Sequence, residues 1–379
     1  MFQYFKITKV KDASYTIVSS STYEIPFEIV NNRIVIPVVI QGRTYNFLFD
    51  TGASLVIDSE LLNELEYENI AKIKVRDANE RVESLKYVKL SEIKCFDTSF
   101  KDQGAIVMNL SDPVKNSCIN ISGVFGASVM KDLIWQVNIE SQIIRISNDI
   151  EKLDIDYDNL KIPFDKNPSQ SPIIEVNLDG HREKLIIDTG SESNFSFPKT
   201  NIDFLSLEKS LTAFARFGGV FGVLIDTVYY LPKEIKFNSF KNESWQGVIE
   251  VRNGLKEGVV GLGFLKDYIF TIDWINQYVY LKKINHNKSS LSIYGFDFGK
   301  SGQDLIVTEV YKNLQAYEAG IRVGDIIMEI DDFSFKNATV ESICNFIEKD
   351  YLEVKDSAIR IKVTNMKNYI SLEKKIFFK

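Results

Sequence analysis

The stretch Phe47-Leu48-Phe49-Asp50-Thr51-Gly52-Ala53-Ser54-Leu55-Val56-Ile57-Asp58 decides how this chain is read. An apolar run ends on an aspartate, followed at once by a threonine, a glycine and a small residue. Carrying a carboxylate out of a sheet interior is costly unless the charge is paired or used. The same pattern returns 138 residues later as Leu185-Ile186-Ile187-Asp188-Thr189-Gly190-Ser191. Asp-Thr-Gly alone fits a plain turn, in which Asp caps its own backbone and Gly supplies a positive φ. Two copies in register need a different account.

The register extends both ways. Eight residues before each aspartate stands a glycine, Gly42 and Gly180, preceded by an apolar or alternating run and followed by a second one. Each copy therefore reads as a β-hairpin ending on its aspartate. Downstream, Gly123-Val124-Phe125-Gly126 in one copy matches Gly258-Val259-Val260-Gly261 in the other. A Lys-Asp pair and a strand-like segment follow in each. The repeat runs to about Lys283, and the acidic, polar segment Glu151 to Pro168 joins its halves. Residues 1–30 read either as a first strand completing a sheet between the halves or as a remnant of processing.

Two carboxylates brought together at a pseudo-twofold axis cannot both ionise easily and share a proton. One is then a base for a water held between them, and the other an acid for the carbonyl that the water attacks. In this arrangement Thr51 and Thr189 bond across to the facing half. Gly52 and Gly190 let backbone N–H groups approach the carboxylates. Ser191 can reach the outer oxygen of Asp188, whereas Ala53 offers Asp50 no such support, so the two acids start unequal. No cofactor and no metal is expected.

These residues resemble the aspartic proteases. Asp50-Thr51-Gly52-Ala53 looks like the retroviral-type signature and Asp188-Thr189-Gly190-Ser191 like the pepsin-type one. The resemblance covers about residues 30–283. It implies a mainly β, two-lobed acid-protease fold and hydrolysis of peptide bonds by the Asp50/Asp188 dyad. It also implies flaps, expected at Ile73 to Leu90, turning at Asp77-Ala78-Asn79-Glu80, and at Ala215 to Ile225, around Phe217, Gly218 and Gly219. No tyrosine stands at the first tip, and Tyr87 lies several residues beyond it. Pepsin-like disulfides are missing. His181 reads as a surface residue beside a turn.

Beyond Lys283 the sequence changes character. Short strands are expected at Asp304 to Val310, Asp325 to Ile330 and Ile359 to Val363. A helix is expected at Thr339 to Lys349, from the spacing of Val340, Ile343, Phe346 and Ile347. The run Ala316-Tyr317-Glu318-Ala319-Gly320-Ile321-Arg322-Val323-Gly324-Asp325 resembles that of PDZ domains. By this resemblance Tyr294, Gly295 and Phe296 belong to the loop that receives a peptide carboxylate, and the helix with Ile343 forms the other groove wall. The domain expectation is 1–150, 151–285 and 286–379: two protease lobes and a PDZ-like α+β domain.

Composition sets the outer bounds. The 379 residues are 45% hydrophobic and 12% aromatic, with a net charge of −7. That balance gives no support for a nucleic-acid partner. No run reaches the roughly 18 apolar residues of a membrane-spanning helix. The expected partners are a peptide or protein substrate and a peptide C-terminus, and the expected state is a monomer. The domain pairing suggests a bacterial periplasmic or secreted setting. Cys95, Cys118 and Cys344 are an odd, sparse set; three buried free thiols are the favoured reading, with a Cys95–Cys118 bridge as the alternative. A second class of function is a peptide-binding scaffold on a retired protease fold.

Overall fold

The computed structural model describes residues 7–10, 13–17, 22–77, 81–110, 118–155, 160–219, 221–239, 243–284 and 291–378. The chain is mainly β. In the first half, β1 (Arg33–Ile40) and β2 (Arg43–Asp50) pair antiparallel, with Ile40 opposite Arg43. Ile34, Ile36, Val38 and Ile40 point inward at period two and are buried. The turn between the strands, Gln41-Gly42, has φ of 49° and 81°. Two left-handed residues in a two-residue loop match the right-handed twist of the strands they join, and glycine takes that geometry most readily. A second, longer hairpin follows from β3 (Glu68–Arg76) and β4 (Val82–Cys95), and β5 (Gly123–Gly126) then lies parallel to β2.

The second half repeats this plan. It has β6 (Pro172–Leu178) and β7 (His181–Asp188), then β8 (Leu211–Gly219) paired with β9 (Gly222–Phe237), then β10 (Gly258–Gly261) parallel to β7. Gly126 stands opposite Asp50 and Gly261 opposite Asp188, so the repeat holds residue for residue. A Cβ on Gly126 would strike the Ala53 and Ser54 carbonyls, and one on Gly261 those of Ser193 and Ser191. Only glycine lets the strand pass so close beneath each aspartate loop.

A shared sheet fastens the halves together. Ile134–Asn138 pairs with Tyr268–Asp273 across the repeat, with Ile134 opposite Asp273. Thr22–Pro26 adds to the same sheet through Ile143–Ser147, so the N-terminal segment does complete the sheet between the halves. One apolar core runs through both halves and includes the fully buried Phe47, Phe49, Trp135, Phe195, Phe264 and Trp274.

The C-terminal unit has its own core, built around Tyr294, Phe296, Val307, Ile343, Phe346 and Ile361. In it β11 (Phe296–Ser301) and β12 (Asp304–Tyr311) form a hairpin. Helix α1 (Val340–Ile347) starts where the Thr339 hydroxyl accepts from the Ser342 N–H, 3.2 Å away, and it buries Ile343 and Phe346 on one face. This unit is not a free appendage. Strand β12 also pairs antiparallel with β8, with Tyr311 opposite Ala213 and Glu309 opposite Ala215.

The cysteine expectation is overturned. A disulfide joins Cys118 of the first half to Cys344 on α1, 226 residues away, and Cys95 is the free thiol among the described residues. Cys95 ends β4 with its side chain sealed in the core, where burial pushes the thiol up to about 12. It faces the Pro37 carbonyl rather than Cys118. Only the docking of the C-terminal unit brings the true partners together, which no local spacing encodes.

Candidate active site

Each aspartate closes a buried strand, and the turn that follows brings it to the seam between the halves. The two threonines lock that seam. The Thr51 hydroxyl donates to the Ile187 carbonyl (2.7 Å) and accepts from the Thr189 N–H (3.1 Å). In return the Thr189 hydroxyl donates to the Phe49 carbonyl (2.8 Å) and accepts from the Thr51 N–H (3.1 Å). Both threonines have zero exposure, so water cannot substitute for any of these four bonds. The glycines face the opposing acids. A Cβ on Gly52 would lie 2.5 Å from the Asp188 carboxyl carbon, and one on Gly190 would lie 2.6 Å from Asp50 Oδ2.

Asp50 and Asp188 are half-buried and hydrogen-bonded to each other. Each also accepts at 2.8 Å from the N–H of the glycine two residues on, Gly52 and Gly190. Burial pushes Asp50 well above the ordinary carboxylate range; the Asp188 charge and their mutual hydrogen bond push the same way, against Gly52 N–H and Arg33. Burial also raises Asp188, but the bond to Asp50, the Gly190 N–H, Arg33 and the Ser191 N–H all pull it back. Burial raises both members, and the pair titrates as one unit. The Ser191 hydroxyl is taken up by Ser193 Oγ at 3.0 Å, and the Ser191 N–H donates to the Asp188 backbone carbonyl at 3.2 Å, as the Ala53 N–H does to that of Asp50 at 3.4 Å.

Two charged residues of this neighbourhood escaped sequence reasoning. Arg33, at the start of β1, pairs with Glu192, which follows Ser191 in the second aspartate loop. The pair crosses from one half to the other, and Arg33 acts on both aspartates. A glutamate four residues after Asp188, where the first loop has Ser54, was the available signal.

The two long hairpins meet at their tips. Arg81 donates to the carbonyls of Phe221 (2.6 Å) and Val223 (2.9 Å), and the Phe221 N–H donates to Asp77 Oδ2 (3.1 Å). The Arg81 N–H also donates to Asp77 Oδ1 at 2.9 Å, so one aspartate braces both strands of contact. Phe221 packs in an apolar cluster with Ala53 of the first aspartate loop and with Ile73, Val75 and Leu85 of the first hairpin. Ala78 and Asn79 lie outside the described residues. In the second hairpin, the Arg252 guanidinium lies 3.3 Å over the Phe217 ring, while Gly218 and Gly219 continue β8 towards the tip. Tyr87 is buried at the base of the first hairpin, with its hydroxyl pushed up to about 12, and lies away from the tip. His181 stacks on Phe204 at the surface.

In the C-terminal unit, Tyr294, Phe296 and Ile343 are buried. The Tyr294 hydroxyl donates to the carbonyls of Lys355 (2.6 Å) and Ser357 (2.8 Å). What this loop presents outward is therefore backbone, turned by Gly295 at φ 87°. Among the described residues strand β11 ends the large sheet, with one of its edges unpaired. Among the described residues no cluster of three or more His, Cys, Asp or Glu is arranged to hold a metal ion. None of their helices is long and apolar enough to cross a membrane.

Residues 36–129 match the family of aspartyl proteases, and residues 283–355 match the PDZ domain. No curated protein matches the chain.

Proposed function

We propose that the chain is an aspartic endopeptidase of two lobes, 1–150 and 151–285, with a PDZ-like peptide-binding domain at 286–379. The observation that carries this reading is the pair of aspartates, one from each half, hydrogen-bonded to each other above interlocked threonines. Asp188, with two backbone N–H groups near it, is the base that takes a proton from the attacking water. Asp50 holds the shared proton and delivers it to the carbonyl oxygen as the tetrahedral intermediate forms. That intermediate then collapses: the C–N bond breaks as Asp188 passes its proton to the leaving amine, and a hydroxyl of the diol returns its proton to Asp50 as the carboxylic acid product forms. Thr51, Gly52, Ala53, Thr189, Gly190 and Ser191 hold the geometry. The hairpin tips around Asp77 and Gly218-Gly219 close over the bound peptide and exclude water.

The PDZ-like domain takes a peptide C-terminus by strand addition at the free edge of β11. The disulfide supports an oxidising setting, periplasmic or secreted. The test is hydrolysis of a peptide library by the intact chain. Asp50→Asn and Asp188→Asn should each lower kcat by 10³-fold or more while leaving the unfolding midpoint near that of the parent. Undiminished hydrolysis in both variants would refute the assignment.

A further inference from the structure

The C-terminal unit shares a sheet with the second hairpin, and the register of that sheet can be followed strand by strand. Phe296 of β11 stands opposite Val310 of β12, Val310 opposite Phe214 of β8, and Phe214 opposite Thr227 of β9. One continuous row of residues thus runs from the unpaired edge of β11 into the hairpin whose tip meets Arg81 and Asp77.

The joint between β12 and β8 is reinforced on several sides. The Lys312 N–H donates to the Thr212 carbonyl at 2.7 Å. Leu211, Ala213, Tyr311 and Leu314 form a separate buried apolar cluster. The Tyr230 ring lies 5.6 Å from that of Tyr311, and Phe214 stacks on Tyr317 at 6.1 Å. Glu309 accepts from the Tyr230 hydroxyl at 2.7 Å and from the Tyr311 hydroxyl at 3.2 Å. The hairpin is therefore gripped at its base by the C-terminal unit and at its tip by the first half. A strand bonded on both sides follows the sheet it belongs to; it cannot shift alone without breaking one ladder.

We infer that the C-terminal unit sets the pose of the second hairpin through the β12–β8 ladder, so that a peptide added to the free edge of β11 changes turnover at the dyad. This rests on the proposed protease reading. An added strand orders β11 and β12, and this lowers the cost of holding β8 in the closed pose that grips substrate. Peptide occupancy at one end of the molecule thereby raises kcat/KM at the other.

The test uses the full chain, a short fluorogenic substrate with an amidated C-terminus, and a separate, uncleavable probe peptide with a free, apolar C-terminus. The free-acid probe should raise kcat/KM at least threefold and saturably, and its amidated twin should not. The double variant Tyr230→Phe, Tyr311→Phe should bind the probe with unchanged affinity, read by fluorescence anisotropy, yet lose the increase. A second readout is amide exchange of residues 211–219 in the Asp50→Asn protein, which should slow when the probe binds. That measurement does not need hydrolysis, so slowed exchange in a chain with no dyad-dependent activity would retain the coupling and reject the protease reading. Probe binding with neither a rate change nor slowed exchange would overturn the inference, as would absence of probe binding.

Discussion

Replacing Thr51 by valine tests the architecture of the seam most directly. Valine keeps the volume and the branched shape and removes only the hydroxyl. Two partners lose their bond: the Ile187 carbonyl at 2.7 Å and the Thr189 N–H at 3.1 Å. Thr51 and Thr189 have zero exposure, so no solvent bond replaces them. An unsatisfied buried polar group costs about 1–3 kcal/mol, and two of them give a loss of about 4 kcal/mol. Thr189→Val removes the reciprocal two bonds, to Phe49 and Thr51, and should cost about the same. The double variant then approaches the whole stability of a typical folded protein, ~5–15 kcal/mol, and should fail to hold its halves together. Thr51→Ser keeps both bonds and should stay within about 1 kcal/mol of the parent. The assay is urea unfolding followed by tryptophan fluorescence, since Trp135 and Trp274 are buried in the core on either side. Catalysis should fall with stability, because a shift of about 1 Å at the dyad costs on the order of 10²-fold in rate. A Thr51→Val protein as stable as Thr51→Ser would refute the claim that these bonds hold the halves together.

Other outcomes follow from the charges and the cross-link. Burial raises both dyad carboxyls, so the pH–rate profile should be shifted upward from that of ordinary carboxylates; a profile peaking near pH 2 would contradict the environments described. Glu309 is pushed up to about 8 by burial, so the folded state holds its proton more tightly than the unfolded one. The stability this contributes is fully present below pH 4.5 and is lost as pH rises through about 8. Glu309→Gln should therefore flatten the fall in melting temperature between pH 6 and 9. Reducing the disulfide, or Cys118→Ser, opens a loop of 226 residues and should lower stability by up to about 5 kcal/mol, read as a drop in melting temperature with and without a dithiol.

The parts legible in the sequence are those in which neighbouring residues determine the outcome. Alternating apolar residues before Asp50 and Asp188, with Gly42 and Gly180 at the turns, specify two hairpins of one plan. The matching glycines Gly126 and Gly261 specify what passes beneath them. Helix α1 came from the spacing of its apolar residues; the strand Ile359–Val363 was expected with its observed bounds and β12 to within one residue, whereas the strand expected from Asp325 begins at Ile327. What stayed hidden depends on how finished pieces dock. Arg81 meets Phe221 across 140 residues, and Cys118 meets Cys344 across 226. The pairing of β12 with β8 leaves no periodic mark, because either strand would alternate in the same way against any neighbour. The Ser191 hydroxyl misled for a smaller reason: Ser193, two residues on, lies closer to hand.

The bridge between Cys118 and Cys344 has a consequence for the chain as a covalent object. A single cut at any peptide bond between those residues, including one made by the protein on itself, separates no fragment. A nicked molecule would migrate as one species until a reductant is added, and then resolve into two. For a single cut, mass lost under non-reducing conditions comes from outside that span, so paired gels with and without reductant locate a nick before any fragment is sequenced.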